Sequence, residues 1–163
     1  MSDLYVLDSP VFIYGVKVIG EIYTVPKVIE ELTSAGAEVM VQALLREGLK
    51  IEPPLEKDVN TVTEKAKLTG DYPRLSATDI DLLAKALQID GTLVTDDYSV
   101  QNVAASLDIE TKAIRQERIK RILIWRHRCV GCGRIYETKT TCPVCGSEVR
   151  LKPIRSGTHN SKE

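Results

Sequence analysis

The 163-residue sequence lacks any long hydrophobic run. A membrane-spanning helix needs roughly 20 consecutive apolar residues, and no stretch approaches that length. The first residues, Met1-Ser2-Asp3, are not a basic segment leading into an apolar run, so they do not resemble a secretory signal. We therefore expect a cytoplasmic protein.

Cysteine is absent from the first 128 residues, and all four cysteines lie between positions 129 and 145. A disulfide-stabilised fold usually spreads its cysteines through the chain. The tight cluster instead predicts a metal site.

Net charge is also nearly absent, at −1, but the charges are segregated. Residues 1–111 carry 9 Lys and Arg against 19 Asp and Glu, a net charge of −10. Residues 112–163 carry 13 against 4, a net charge of +9. Such asymmetry suggests two separate tasks, and basic segments often contact nucleic acid or anionic membranes.

Predicted strands and helices alternate along residues 1–115. Apolar runs predict strands, and amphipathic segments predict helices. The predicted strands span residues 4–7, 49–51, 92–95 and 110–114. The first predicted helix begins at Ser9-Pro10, and Thr24 is expected to cap the second. The other predicted helices begin at residues 37, 59, 76 and 99. This alternation is typical of an α/β fold in which helices cover both faces of a parallel sheet.

The same patterns divide the chain into four parts. We predict an α/β domain at 1–115, a charged connector at 116–124, a metal-binding module at 125–153 and a flexible tail at 154–163.

Carboxylates follow two of the predicted buried strands. Asp8 closes the first strand, and Asp96-Asp97 close the strand at 92–95. Ligands of parallel α/β sheets bind at the carboxyl ends of the strands, and helices could bring Glu31 and Asp79 to the same edge. Clustered carboxylates repel one another unless cations neutralise them. Mg²⁺ or Mn²⁺ would do so and would support displacement at a phosphate.

Each carboxylate also has a structural explanation. An Asp after a strand often caps a helix, Asp79 could favour the helix dipole, and Glu30-Glu31 could form a solvated helix face. Their joint placement at one edge of the sheet favours the metal-dependent site.

The order of these motifs resembles the PIN-domain family of metal-dependent nucleases, which have a three-layer α/β/α fold. The matching segments are the strand ending in Asp8, V-x-x-E-L at 28–32, L-S-x-x-D at 75–79 and L-V-T-D-D at 93–97. The resemblance implies that the catalytic carboxylates are Asp8, Glu31, Asp79 and Asp97.

Neighbouring residues leave alternatives to this set. Asp96 could assist Asp97 or replace it as the metal ligand, and Glu30 is the weaker alternative to Glu31. Thr95 could hydrogen-bond a neighbouring carboxylate, and we expect Asp81 to lie on a helix surface.

The cysteines form two C-x-x-C pairs separated by nine residues, Cys129–Cys132 and Cys142–Cys145. Two such pairs, with glycines beside them, predict a zinc ribbon with one tetrahedral, structural zinc ion. The alternatives are disulfides or a redox C-x-x-C, which the doubled motif and a cytosolic setting disfavour. Four thiolates fill the coordination sphere, so we interpret His127 as a surface residue.

Basic and aromatic residues surround the cysteines. The alternative to a binding surface is a merely solvated face, but the net charge of +9 favours nucleic acid, and Trp125 and Tyr136 could stack on unpaired bases. The residues predicted to bind RNA are Arg121, Arg126, Arg128, Arg134 and Lys139.

The succession of a PIN-like domain and a zinc ribbon resembles the archaeal form of the Nob-type ribosome-assembly endoribonucleases, over residues 3–152. This resemblance implies cleavage of precursor small-subunit rRNA, within the nascent subunit, to form the mature 3′ end of 16S-type rRNA. Other assembly factors are possible partners.

The hypothesis is in-line attack of water at the scissile phosphate, which leaves a 5′ phosphate and a 3′ hydroxyl. The rival functions are a toxin-like PIN ribonuclease and a non-catalytic RNA-binding assembly factor.

Overall fold

The computed structural model describes residues 3–115 and 121–158, but not the side chains of 121–123 and 155–158. The strands are β1 (Leu4–Leu7), β2 (Glu21–Thr24), β3 (Lys50–Ile51), β4 (Thr92–Val94), β5 (Thr111–Lys112), β6 (Arg121–Cys129), β7 (Ile135–Tyr136) and β8 (Val149–Thr158). The helices are α1 (Ser9–Tyr14), α2 (Pro26–Glu31), α3 (Ala35–Arg46), α4 (Glu56–Thr69), α5 (Ala77–Ile89) and α6 (Tyr98–Ser106), and a 3-10 turn spans Tyr72–Arg74.

The first five strands form a parallel sheet in the order β3-β2-β1-β4-β5. Helices α1 to α3 pack together, and α4 to α6 pack together. The predicted α/β fold with a central parallel sheet is confirmed. The strand order reverses direction between β1 and β4, and such a switch point opens a crevice at the carboxyl ends of the two strands.

Thr24 does not cap a helix as predicted. It ends β2, a strand that the sequence pattern missed, and its buried hydroxyl donates a hydrogen bond to the Leu7 carbonyl at 2.8 Å. Helix α2 begins after Val25 without a side-chain cap, and Pro26 fixes its first turn. The missed strand has only four residues and alternates between half-buried and buried positions, which makes its apolar signal weak.

The core of the α/β domain lies on both sides of β1 and β4. Val6, Leu7, Leu93 and Val94 are at most 1% exposed. Two charged residues of α5, Asp81 and Lys85, are also buried. Asp81 is only 9% exposed and does not lie on the surface as predicted. Its carboxylate accepts a hydrogen bond from Lys27 Nζ at 2.7 Å, which compensates its charge.

The C-terminal segment forms a three-stranded antiparallel sheet in the order β7-β6-β8. Strand β6 begins at Arg121, inside the predicted connector, and β8 continues to Thr158, inside the predicted tail. Residues 116–120 and 159–163, the remainder of the connector and of the tail, lie outside the described residues.

The small sheet packs against the α/β domain through a close approach at Gly70. This residue ends α4 with a φ of +83°, and a Cβ atom there would lie 2.3 Å from the Trp125 carbonyl oxygen. Arg126 Nη1 donates a hydrogen bond to the Leu68 carbonyl at 3.0 Å. The Arg74 guanidinium lies 3.6 Å from the centre of the Trp125 ring. Glycine is required at position 70 because both the φ angle and the contact exclude a side chain.

No helix among residues 3–115 and 121–158 is long and apolar enough to cross a membrane.

Candidate active site and metal centre

Asp8 lies at the base of the crevice between β1 and β4. It is 9% exposed and caps α1, with Oδ1 accepting a hydrogen bond from the Ser9 amide at 2.7 Å. Oδ2 accepts a hydrogen bond from the Thr95 hydroxyl at 2.7 Å, as the sequence suggested. The two hydrogen bonds, one from each side of the switch point, therefore fix the orientation of the Asp8 carboxylate.

The two carboxylates after β4 point to different neighbours. Asp97 caps α6 through the Ser99 amide at 2.8 Å, and its own amide donates to Thr95 Oγ1 at 3.2 Å. Asp96 Oδ1 instead accepts hydrogen bonds from the amides of Ile114 and Arg115, at 2.6 and 3.0 Å. Asp96 thus anchors the segment after β5, and Asp97 is the residue that faces Asp8.

Glu31 and Asp79 come from the helices that flank the crevice. Asp79 is the third residue of α5 and forms a capping box with Ser76, whose amide donates to Asp79 Oδ2 at 2.8 Å. Glu31 ends α2 and accepts a hydrogen bond from the Thr78 hydroxyl. The Thr78 contact, which the sequence analysis missed, joins the two helices beside both carboxylates.

The pKa shifts show that these carboxylates interact electrostatically. Burial raises the pKa of Asp8 above its ordinary value of 3.8, and the charges of Asp79 and Asp97 raise it further. Burial likewise raises the pKa of Asp79, with additional contributions from Asp97 and Glu31. Among the described residues, no Lys or Arg forms an ion pair with any of these four side chains. Within the part of the chain that the structure describes, the site is therefore a negative cluster without a cationic partner.

Such a cluster suits Mg²⁺ or Mn²⁺, which need only one or two carboxylates and complete their coordination with water and phosphate oxygens. The four carboxylates do not converge on a single point as the cysteines do. An ion bound here would keep positions open for substrate.

Comparison with known proteins agrees with this site. A family model described as the PIN domain of ribonuclease matches residues 5–89. The chain is 36% identical over 154 residues to "Endoribonuclease Nob1" of Pyrococcus abyssi, covering 92% of this chain and 94% of that protein. It is 40% identical over 157 residues to "Endoribonuclease Nob1" of Methanocaldococcus jannaschii, covering 93% and 78% respectively.

The chain belongs to the Nob1 family of PIN-domain endoribonucleases. A further relative, "Ribonuclease VapC1" of Thermoplasma acidophilum, is 35% identical over 153 residues, covering 92% of this chain and 78% of that protein. The family assignment makes this protein an endoribonuclease.

The second centre of this Nob1-family chain is the cysteine cluster. The four sulfur atoms lie within 4.8 Å of one another, and the cysteines are not joined as disulfides. Cys129 and Cys145 Sγ are 3.4 Å apart, and Cys132 and Cys142 Sγ are 3.6 Å apart. Zn–S bonds of about 2.3 Å in a tetrahedron place sulfurs about 3.8 Å apart, so the cluster fits one zinc ion. His127 is not part of this group.

Two neighbours support the sulfur cluster. The Gly131 amide lies 3.4 Å from Cys129 Sγ, and a Cβ atom on Gly131 would lie 2.4 Å from Ser147 Oγ, which explains the glycine. The Tyr136 hydroxyl lies 3.0 Å from Cys142 Sγ. This contact places the hydroxyl edge of the Tyr136 ring against the sulfur cluster.

Register divides the ribbon sheet into two faces. Residues opposite one another on antiparallel strands share a face, and successive residues alternate between faces. Arg126 pairs with Lys152, and Arg128 pairs with Arg150, so these four define a basic face. His127 pairs with both Tyr136 and Leu151, and with Trp125 they define an aromatic face.

The predicted RNA-binding residues fall at several places on the ribbon. Arg126 and Arg128 lie on the basic face, and Arg134 lies beside Cys132, whose sulfur raises the pKa of the guanidinium. Lys139 is exposed and lies near Glu148. The side chain of Arg121 lies outside the described residues.

Proposed function

We propose that this protein cleaves precursor small-subunit rRNA to generate the mature 3′ end of 16S-type rRNA. The observation that carries the proposal is the uncompensated cluster of Asp8, Glu31, Asp79 and Asp97 at the switch point of the sheet. The relatives named "Endoribonuclease Nob1" support it, because they align over more than nine-tenths of the chain. This role implies the nascent small subunit and other assembly factors as partners, and a cytoplasmic location.

The roles of the carboxylates follow from their environments. Asp8, Asp79 and Asp97 hold one or two Mg²⁺ or Mn²⁺ ions, and Glu31 completes the site from α2. Bound ions of this kind orient an attacking water and neutralise charge on the phosphate. Thr95 fixes the orientation of the Asp8 carboxylate and, through its contact with the Asp97 amide, the start of α6. In-line attack leaves a 5′ phosphate and a 3′ hydroxyl.

The zinc ribbon holds flanking RNA. Four cysteines satisfy a structural zinc ion, whose binding supplies folding free energy to a module too small for a large core. The basic face then presents cations to phosphates. This assistance is needed because the negative field of the α/β domain repels a polyanion.

The central test is cleavage of a short RNA that spans the 3′ end of the small-subunit rRNA. Wild-type protein with Mn²⁺ should cut it at one position and leave a 5′ phosphate. Asp8→Asn should abolish cutting, while Glu64→Gln, which changes an exposed carboxylate of α4, should not. Cleavage by Asp8→Asn at the wild-type rate would disprove the carboxylate mechanism.

The zinc assignment has its own test. Metal analysis of freshly purified protein should give one zinc per chain. A stoichiometry near zero would contradict the ribbon.

The relative named "Ribonuclease VapC1" favours a second candidate, a ribonuclease with other RNA substrates. Parallel digestion of tRNA, mRNA and pre-ribosomal particles distinguishes the two. Cleavage of tRNA or mRNA in preference to the pre-ribosomal 3′ end would favour the second candidate. Absence of cleavage from every substrate would favour a non-catalytic assembly factor.

A further inference from the structure

We propose that the cleft between the end of α4 and the aromatic face of the ribbon binds an unpaired base of the RNA substrate. The proposal rests on the proposed function for the presence of RNA, but not on the position of the cut. The cleft has a volume of about 650 Å³. Its main lining side chains are Lys67, Tyr72, Trp125, His127, Tyr136 and Leu151.

One wall of the cleft is built by strand register. His127 lies between Tyr136 of β7 and Leu151 of β8, so the three side chains form a row across the sheet. Trp125, two residues before His127, extends the row along β6. The contact of the Tyr136 hydroxyl with Cys142 Sγ holds that ring in place.

The other wall comes from the α/β domain. Gly70 brings the chain against the Trp125 backbone, and the 3-10 turn then places Tyr72 at the opening, where it is 41% exposed. Lys67 Nζ lies 5.2 Å from the centre of the Tyr72 ring. A base entering the cleft would meet aromatic rings together with a cation.

The chemistry of this lining favours a nucleobase. Single-stranded RNA is bound by aromatic rings that stack on bases and by cations that follow the backbone. The rings here carry polar groups at their edges, which can hydrogen-bond to base edges. Among the described residues that line the cleft, Glu137 is the acidic one, against the cations Lys67 and Arg126. Arg128, Arg150 and Lys152 of the basic face lie on the other side of the same strands, whereas the Arg126 side chain reaches the cleft.

The cleft is also connected to the catalytic cluster. Asp71, between Gly70 and Tyr72, is fully buried and accepts a hydrogen bond from Asn102 Nδ2 at 2.6 Å. Asn102 belongs to α6, the helix that Asp97 caps. The charge of Asp97 also contributes to raising the pKa of Asp71, so the end of α4 lies near the carboxylate cluster.

Trp125 is the one tryptophan of the sequence, so its fluorescence reports on the cleft. The full-length, zinc-loaded protein is titrated, without Mg²⁺ or Mn²⁺, with an unstructured oligoribonucleotide. The same titration uses an abasic ribose-phosphate oligomer of equal length. We expect the RNA to quench Trp125 emission and the abasic oligomer to bind without quenching. Equal quenching by both, or none by either, would overturn the proposal.

Substitutions in the cleft distinguish binding of a base from non-specific electrostatic attraction of RNA. Tyr72→Ala should weaken RNA binding about tenfold, because it removes a ring that stacks on one base, while Tyr72→Phe should bind as wild type. Lys67→Gln should weaken binding, and Lys57→Gln, at the exposed start of the same helix, is its matched control. Wild-type affinity in Tyr72→Ala, or equal losses in the two lysine variants, would also overturn the proposal.

The titration is independent of the cleavage assay. It contains no ion that could support catalysis and measures no product. Base-dependent quenching by a protein that cuts no RNA would refute the nuclease mechanism alone. Cleavage by a protein without such quenching would refute the base-binding cleft alone.

Discussion

Asp8 combines a proposed catalytic position with an unfavourable environment for its charge. Burial raises its pKa above 3.8 in the folded state, and the negative charges of Asp79 and Asp97 raise this pKa further. The folded protein therefore binds this proton more tightly than the unfolded chain does. The resulting stabilisation is present at low pH and is lost as the pH rises from 3.8 through the folded pKa.

We therefore predict that Asp8→Asn increases thermal stability at pH 7 in buffer without divalent cations. Asn retains an oxygen that can accept the Ser9 hydrogen bond, but it carries no buried charge. The melting temperature of a protein of this size should rise by about 2–4 °C for each kcal/mol gained. Added Mg²⁺ should stabilise wild type more than the variant. A lower melting temperature of the variant in metal-free buffer would contradict this account.

Asp96 and Asp97 are adjacent in sequence, but their carboxylates accept hydrogen bonds from different partners. Asp97→Ala should abolish cleavage, because Asp97 belongs to the carboxylate cluster. Asp96→Ala should retain cleavage but lower the free energy of unfolding by about 1–2 kcal/mol, since two backbone amides lose their charged acceptor. Cleavage kinetics and urea unfolding of both variants provide the measurement. Loss of cleavage in Asp96→Ala at unchanged stability would reverse the assignment.

At the scale of elements, the salt bridge between Lys27 of α2 and Asp81 of α5 holds together the two helices that carry Glu31 and Asp79. Asp81 has a side chain that is 12% exposed, and Lys27 one that is 45% exposed. Removing Lys27 alone leaves a buried carboxylate without its partner. Replacing both residues with apolar ones removes that penalty.

We accordingly predict that Lys27→Met lowers the free energy of unfolding by about 1–3 kcal/mol. This loss is smaller than for a fully buried ion pair, because Lys27 is partly exposed. Adding Asp81→Leu should recover most of the lost stability. Lys50→Met, which breaks the exposed pair with Glu21, is the control and should cost under about 1 kcal/mol. Urea unfolding measures all three variants. Equal losses of unfolding free energy in Lys27→Met and Lys50→Met would show that the burial of Asp81 does not strengthen its ion pair.

The elements also show where sequence patterns suffice. The strongly apolar runs of β1 and β4 and the Ser76 capping box of α5 are local signals, and each predicted its element. Strand β2 and the burial of Asp81 depend on contacts with residues distant in sequence, such as Leu7 and Lys27. Local periodicity contains no information about those contacts.

The same distinction applies to the candidate site. The family resemblance pointed to Asp97 and left Asp96 as the alternative, because both residues follow β4. The hydrogen bonds from the amides after β5 to Asp96 favour Asp97, and these contacts between distant residues have no local sequence signal.

At the scale of the whole molecule, the near-zero net charge conceals two regions of opposite sign that meet at Gly70 and Trp125. In the proposed function, the carboxylates of the α/β domain bind cations, and the cations of the ribbon bind RNA. No local pattern predicts that contact, because it joins the end of α4 to β6 across more than fifty residues. It places β6 of the ribbon against the end of α4.

This division of charge predicts how RNA affinity depends on salt. The logarithm of the binding constant falls with the logarithm of salt concentration, by about 0.7 for each phosphate contact to a single strand. Neutralising Arg128, Arg150 and Lys152 of the basic face to Gln should therefore make the slope shallower by about 2. Neutralising three exposed cations of the α/β domain to Gln, at Lys17, Arg46 and Lys57, changes net charge equally. That control should leave the slope nearly unchanged, because in the proposed function RNA binds to the ribbon. Equal changes of slope in the two triple variants would mean that net charge, rather than the basic face of the ribbon, governs binding.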